Sequence, residues 1–363
     1  MPFTLFDGRP FVNLKLNGEG PFAFIFDTGG NAVISPKVAE RLHLSAGNAD
    51  TGTGMGEKPV TATETTVQVL EIGDLRLSNL VFRVISMDDA PSVFGRQPVD
   101  GIIGLPILER VVVKIDYERM RLELTAPSAY RPGNHVSSVH FERVRSVPLV
   151  DGTLDGVSGK FGVDTGARLS LLLYGPFVDQ NDLRTKYHSE VSGVTGWGLG
   201  GPIRSQIARG KLFTMGNLQV RNPLVRLPLQ TGGGLTTPDA AGLIGADILR
   251  QFDITLDYGR QSITFEKNRQ YGKRTNFDRV GVWLGQDNTS FTVLDVISGS
   301  PADNAGIKAG DKIVAINGKL TEALSLLEIR EEFRNDAVGK KMHLKLQSGA
   351  VVRDIVLTLR DLV

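Results

Sequence analysis

The feature that most constrains this chain is that it repeats itself. Phe24-Ile25-Phe26-Asp27-Thr28-Gly29 returns as Phe161-Gly162-Val163-Asp164-Thr165-Gly166, 137 positions later. Four further segments return in the same order. Thr51-Gly52-Thr53-Gly54-Met55-Gly56 matches Thr195-Gly196-Trp197-Gly198-Leu199-Gly200, and Ile72-Gly73-Asp74-Leu75 matches Met215-Gly216-Asn217-Leu218. The stretch from Gly101 to Leu108 matches Gly242 to Leu249, and Lys114-Ile115-Asp116-Tyr117 matches Thr255-Leu256-Asp257-Tyr258. The offsets drift only as loop lengths would make them drift. Five ordered matches mean a duplicated lobe, and a lobe that occurs twice has to fold the same way twice.

Inside each lobe the apolar residues alternate in short runs, such as Val12-Asn13-Leu14-Lys15-Leu16 and Val67-Gln68-Val69-Leu70. Alternation bounded by Gly, Asn and Asp predicts strands. Asn17-Gly18 and Asp151-Gly152 read as hairpin turns at equivalent places. One short helix per lobe is expected, in the first at about Pro36 to Leu42. Pro127 to Asn134 reads as a connector, and the basic, apolar-poor Lys267 to Arg274 as a second one. The boundaries follow as 1–128 for the first lobe, 139–266 for the second and 278–361 for a C-terminal domain of different composition.

Composition narrows the chemistry. The absence of cysteine excludes disulfides, thiolate metal sites and a cysteine nucleophile. A formal net charge of +1 gives no long-range attraction to nucleic acid or an anionic membrane. No apolar run approaches the ~20 residues of a membrane helix. The five histidines, His43, His135, His140, His188 and His343, lack metal-ligand spacing, so neither a metal nor another cofactor is expected. No Gly-x-Ser-x-Gly elbow is present. The first residues lack the basic start and apolar stretch of a signal peptide but begin almost inside the first strand pattern. A removed export signal, with a periplasmic or other extracytoplasmic location, fits this start; a cytoplasmic protein fits it too.

A single Asp-Thr-Gly is an ordinary strand-to-turn sequence. Here each copy follows an apolar strand, precedes a second apolar segment (Ala32-Val33-Ile34; Leu169 to Leu173), and has a later apolar-apolar-Gly partner, Ile102-Ile103-Gly104 or Leu243-Ile244-Gly245. This arrangement resembles the aspartic protease superfamily, in the bacterial pepsin- and retropepsin-like form with two lobes in one chain. The resemblance implies a mostly β, bilobed double β-barrel with Asp27 and Asp164 as the catalytic pair. Two carboxyls held together share one proton, so one can act as base on a water while the other acts as acid on the peptide carbonyl. Thr28 and Thr165 then resemble the family's crossed hydroxyl pair, with Gly29 and Gly166 allowing the tight loop. Two positions depart from the pepsin pattern: Gly30 and Ala167 stand where a hydroxyl residue usually follows the triplet. The first-lobe flap tyrosine is also missing.

The glycine-rich segments fail as phosphate loops, because no helical pattern or Lys-Ser/Thr follows. They read as flaps over a cleft, with Gly52, Thr53, Gly54 and Met55 in one and Gly196, Trp197, Gly198 and Leu199 in the other. Trp197 either covers substrate or packs on its own hairpin.

From Asp278 onward, Ser300-Pro301-Ala302, Ala305-Gly306-Ile307, Gly310-Asp311-Lys312-Ile313 and Ile316-Asn317-Gly318 occur in one order. They closely resemble the bacterial PDZ signature, which implies an α+β domain with a helix at about Glu322 to Arg334. By that resemblance, backbone N–H groups at Arg279, Val280, Gly281 and Val282 hold the C-terminal carboxylate of a peptide, which adds as a strand beside Val282-Trp283-Leu284. The domain could instead pack on the protease and bind nothing. The expected function is endopeptidase cleavage of a polypeptide substrate by a monomer, with recruitment through the PDZ domain. The alternative is a catalytically silent peptide-binding scaffold on the same fold.

Overall fold

The computed structural model describes residues 1–87, 93–133 and 137–363, with Ser137 described by its backbone. The chain is mostly β. Asn134, at the end of the first expected connector, and His135 lie outside the described residues.

The two lobes build their sites in the same way. In the first, Gly101–Ile103 lies between Glu19–Phe26, with which it runs parallel, and Ala32–Ile34, with which it is antiparallel. In the second, Gly242–Ile244 lies between Val157–Val163 and Leu171–Leu173 in the same senses. The apolar-apolar-Gly segment is thus threaded through the two arms of the Asp-Thr-Gly loop. The Asp27 N–H donates to the Ile103 carbonyl at 2.9 Å and the Asp164 N–H to the Ile244 carbonyl at 3.0 Å. Gly104 closes this motif, because a Cβ there would overlap the Asp27 carbonyl oxygen.

An eight-stranded sheet forms the first lobe and a ten-stranded sheet the second. A third sheet of five strands belongs to both. Val112–Asp116 of the first lobe pairs antiparallel with Phe252–Asp257 of the second, and Arg121–Thr125, Ser262–Lys267 and Ser137–His140 complete it. One continuous apolar core runs from Val12, Phe24 and Phe82 through Ile115 and Leu256 to Phe161 and Phe213. The C-terminal domain has its own six-stranded sheet and core around Phe291, Ile313, Phe333 and Leu346.

Three expectations of local structure need correction or refinement. Asn17-Gly18 does turn a hairpin, both residues having positive φ. Asp151-Gly152, however, lies within the strand Val147–Leu154, and the second-lobe turn is Asp155-Gly156, at φ 49° and 86°. Gly152 answers to packing instead: a Cβ there would stand 2.9 Å from the rings of Phe161 and Phe213. The first-lobe helix forms at Pro36–Arg41, capped by the Ser35 hydroxyl. The C-terminal helix is shorter than its apolar pattern, running Leu326–Asn335 behind a separate 3-10 turn at Thr321–Ala323. Ser325 interrupts the run by forming a capping box with Glu328.

Candidate active site

The two Asp-Thr-Gly loops meet at the junction of the lobes. Thr28 and Thr165 are fully buried and cross. Each hydroxyl accepts from the other residue's backbone N–H at 3.0 Å and donates at 2.7 Å to a carbonyl of the opposite lobe, Val163 for Thr28 and Phe26 for Thr165. A further tie joins the lobes at the loops, the Ser146 hydroxyl donating to the Gly29 carbonyl at 2.7 Å.

Held in this way, the carboxyls of Asp27 and Asp164 face each other within hydrogen-bonding reach. The Gly29 N–H donates to Asp27 at 2.8 Å; the Gly166 and Ala167 N–H groups donate to Asp164 at 2.8 and 3.0 Å. Each loop glycine also makes room for the opposite carboxyl. A Cβ on Gly29 would lie 3.0 Å from the Asp164 Cγ, and one on Gly166 would overlap the Asp27 carboxylate. Burial pushes both carboxyls above their usual range. Asp164 rises well above it, because the charge of Asp27 adds to the effect. In Asp27 the rise is opposed by hydrogen bonds from Asp164 and two loop N–H groups and by the charge of Arg9. The pair therefore favours one proton shared between the two carboxyls.

The dyad opens into a cleft of about 640 Å³. Its roof is two hairpins. The first, between Ala49–Thr53 and Pro59–Ile72, carries Gly54 and Met55 at its tip; the second, between Ser192–Gly198 and Gly201–Arg209, turns at Leu199-Gly200. Trp197 therefore stands on a strand beside the tip, with its ring in the cleft wall. The tips are joined, the Gly56 N–H donating to the Leu199 carbonyl at 2.9 Å and the Lys58 N–H to the Gly200 carbonyl at 3.0 Å. The Gly234 N–H donates to the Gly54 carbonyl at 2.8 Å. Gly52, Thr53, Gly196 and Gly198 lie in the hairpin strands, and of these Thr53, Gly196 and Gly198 reach the cleft.

The C-terminal domain forms part of the wall. Trp283, on its edge strand Val282–Gln286, and Arg330, on its helix Leu326–Asn335, both line the cleft. These two elements flank the groove in which a peptide was expected to add as a strand. First-lobe residues occupy part of that space: Arg330 donates to the Val93 carbonyl at 3.0 Å, Gly95 abuts Gln286 and Leu326, and Arg96 donates to the Asn288 carbonyl at 3.0 Å. On the other side Asp295 accepts from the Val194 N–H at 2.7 Å and pairs with Arg204, tying the C-terminal domain to the root of the second flap.

The expected carboxylate loop also needs correction. The N–H groups of Val280 and Gly281 donate to the carboxylate of Asp278, at 3.0 and 2.5 Å, and the Val282 N–H bonds the same group. An internal carboxylate thus takes the donors assigned to a peptide C-terminus. The Arg279 N–H points elsewhere, to the Phe333 carbonyl at 2.9 Å.

Sequence reasoning missed a buried cluster beside the dyad. The Asp7 carboxylate is contacted by Arg9 at 3.5 Å, Arg168 at 3.4 Å and Arg330 at 2.5 Å. Despite burial, these charges hold Asp7 below the usual carboxyl range. Burial lowers Arg9 to about 10, which leaves it cationic. One signal was available for Arg9. The Asn17-Gly18 hairpin places the start of its first strand, where Arg9 stands, level with Asp27 at the end of the second. Arg168 and Arg330 gave no comparable signal.

The threaded loops and paired aspartates make two similarly built lobes that meet at the dyad, followed by a separate C-terminal domain. Residues 12–107 match the family model described as aspartyl protease, and residues 292–348 match that of the PDZ domain. The chain thus carries an aspartyl-protease domain and a C-terminal PDZ domain. No curated protein matches it. No helix among the described residues is long and apolar enough to cross a membrane.

Proposed function

We propose that the chain is an aspartic endopeptidase that hydrolyses peptide bonds of extended polypeptides in the cleft between its lobes. The observation that carries this reading is the facing of Asp27 and Asp164 on loops locked together by the crossed threonines. Ionised Asp27 takes a proton from a water as the water oxygen attacks the peptide carbonyl carbon, and Asp164 gives its proton to the carbonyl oxygen. The resulting gem-diol collapses as Asp27 passes its proton to the amide nitrogen and Asp164 takes one from a gem-diol hydroxyl, so that the C–N bond breaks to an acid and an amine and the dyad is restored. Both carboxyls come from one chain, so a monomer suffices.

The flaps fit a substrate that lies extended beneath them, because their glycines bring backbone N–H and carbonyl groups to the cleft. In this reading the PDZ domain acts first as a wall of the cleft. Recruitment of a free peptide C-terminus at residues 279–282 would require the Asp278 carboxylate to leave. The test is digestion of a denatured protein mixture by wild type, Asp27→Asn and Asp164→Asn, with sequencing of the fragments. New termini produced by wild type and by neither variant support the reading; no wild-type cleavage across the pH range sinks it.

A further inference from the structure

The repeat allows the two ends of the cleft to be compared. Continued by two residues, the registers Phe11↔Ile25 and Leu149↔Gly162 bring Arg9 level with Asp27 in the first lobe and Val147 level with Asp164 in the second. Two positions beyond each Gly of the triplets stand Asn31 and Arg168. One end of the cleft is therefore built with Arg9 and Arg168, while the other has Val147 and Asn31 at the equivalent places. All four line the same cavity as the dyad. The remaining guanidinium at the second end, Arg145, is exposed and pairs with Asp239 at 3.7 Å.

The arginine end is charged out of balance. Arg9, Arg168 and Arg330 surround one carboxylate, Asp7. The indole of Trp283 lies between two of these cations, 4.5 Å from Arg168 and 5.2 Å from Arg330. Among the described residues, the buried Arg9 Nε, Arg168 Nε and Trp283 Nε1 have no hydrogen-bond acceptor, and Arg168 Nη1 has only its ion-pair approach to Asp7 at 3.4 Å. The one acceptor of the cluster left over, Asp7 Oδ1, does not match them in number. Arg9 is only 7% exposed. Unpaired buried donors on cationic groups are costly unless an anion satisfies them, and a planar carboxylate suits guanidinium geometry.

We propose that Arg9, Arg168 and Trp283 form a carboxylate-binding subsite at the PDZ side of the cleft, which takes an anionic group of the substrate, either an acidic side chain or the C-terminal carboxylate. The inference rests on the cleft being the peptide site. Because Arg9 is level with Asp27, the anion lies within a residue or two of the bond that is cut. The PDZ domain contributes to this selectivity directly, by supplying the indole and by placing Arg330 behind Asp7.

The test uses the full chain and peptides that differ only by Glu or Gln at each position around the cleaved bond, each as free acid and as C-terminal amide. Wild type is expected to favour one carboxylate by about tenfold to a hundredfold in kcat/KM, the range of a charge-assisted hydrogen bond. A Glu-over-Gln preference identifies a side-chain acid, and an acid-over-amide preference identifies the C-terminus. The preference should fall to within about twofold in Arg168→Met and partly survive in Arg168→Lys, which also covers a Met variant that fails to fold. Equal rates on all wild-type substrates, or an unchanged preference in folded Arg168→Met, overturn the subsite. If wild type cleaves none of the peptides, the peptidase reading fails separately. Tryptophan fluorescence titration with the same peptides then decides, and equal affinity for charged and neutral forms overturns the subsite.

Discussion

The hydroxyl of Thr28 and the backbone N–H of Thr165 are 3.0 Å apart across the lobe junction, and the reciprocal pair is at the same distance. Neither lobe can therefore shift at its catalytic loop without breaking a bond in the other. Thr28→Val keeps the shape and strands the Thr165 N–H and the Val163 carbonyl in a dry interior. Its expected cost is about 2–6 kcal/mol, from about 1–3 kcal/mol for each of the two stranded groups. Thr28→Ser, which keeps the hydroxyl, should lose about 1 kcal/mol or less. Urea unfolding of both variants measures the difference, and equal losses would show that the methyl rather than the hydroxyl matters.

Removing either carboxyl of the dyad should lower kcat/KM by about a thousandfold or more, since acid and base roles cannot be combined in one group. Stability should move the other way, most of all at Asp164. A carboxyl whose folded pKa is raised supports the fold fully below its unfolded value, and that support is lost as pH climbs through the folded one. Asp164 is such a group. Asp164→Asn should therefore be more stable than wild type at neutral pH, with the gap closing below about pH 4. A gap that persists in acid would assign the gain to something other than titration.

The same raised carboxyl sets the high-pH limb of activity. Asp164 must be protonated, so cleavage should persist into weakly acidic or neutral solution before it falls. Ala167→Ser places a hydroxyl near a carboxylate that already accepts the Ala167 N–H. A donor to the ionised form lowers the pKa, so this limb should move to lower pH. The profile of kcat/KM against pH for the two proteins is the measurement, and an upward move would contradict the assignment of the proton to Asp164.

Arg330→Met tests how firmly the PDZ domain is bound to the two lobes. The change leaves buried Asp7 short of its nearest cation, at an expected cost of about 3–5 kcal/mol. Asp7, held below the usual carboxyl range, supports the fold above its unfolded pKa and loses that support as pH falls through the folded value. The deficit of Arg330→Met should therefore shrink in strong acid. A constant deficit would make the lost packing, not the lost charge, responsible.

Asp278→Ala vacates the loop of Val280 and Gly281. If that carboxylate stands in for a ligand, the variant should gain affinity for peptides with a free apolar C-terminus and not for their amides. Fluorescence anisotropy with labelled peptides measures this, and indifference of the variant to amidation would leave the loop a purely internal turn.

Asp27 and Asp164 were legible because duplication prints the motif twice, with its threaded partner strand each time. The flaps were legible as glycine runs, although not the turn at Leu199-Gly200, because a tip depends on register. Asp151-Gly152 misled for the same reason: its composition suits a turn, but the glycine is needed where Phe161 and Phe213 close over the strand. The arginine cluster was harder. Its members are far apart in the chain, from Arg9 to Arg330, and each alone looks like a surface cation. Asp278 carries no signal of its own, because a single acidic residue before a strand does not reveal that it turns back onto the backbone donors after it.

The sheet shared by Val112–Asp116 and Phe252–Asp257 decides how a substrate gets in. Because continuous backbone hydrogen bonds join the lobes beneath the dyad, they cannot part like jaws; that would unzip the sheet and the threonine crossing together. The floor is fixed, and the roof is held by a few bonds between hairpin tips. On the proposed function a polypeptide enters by lifting the flaps, of which the second is anchored at its root to Asp295 of the PDZ domain. Floor and roof are therefore mechanically separate, and a force or ligand acting on the PDZ domain reaches the second flap through Asp295 without passing through the shared sheet.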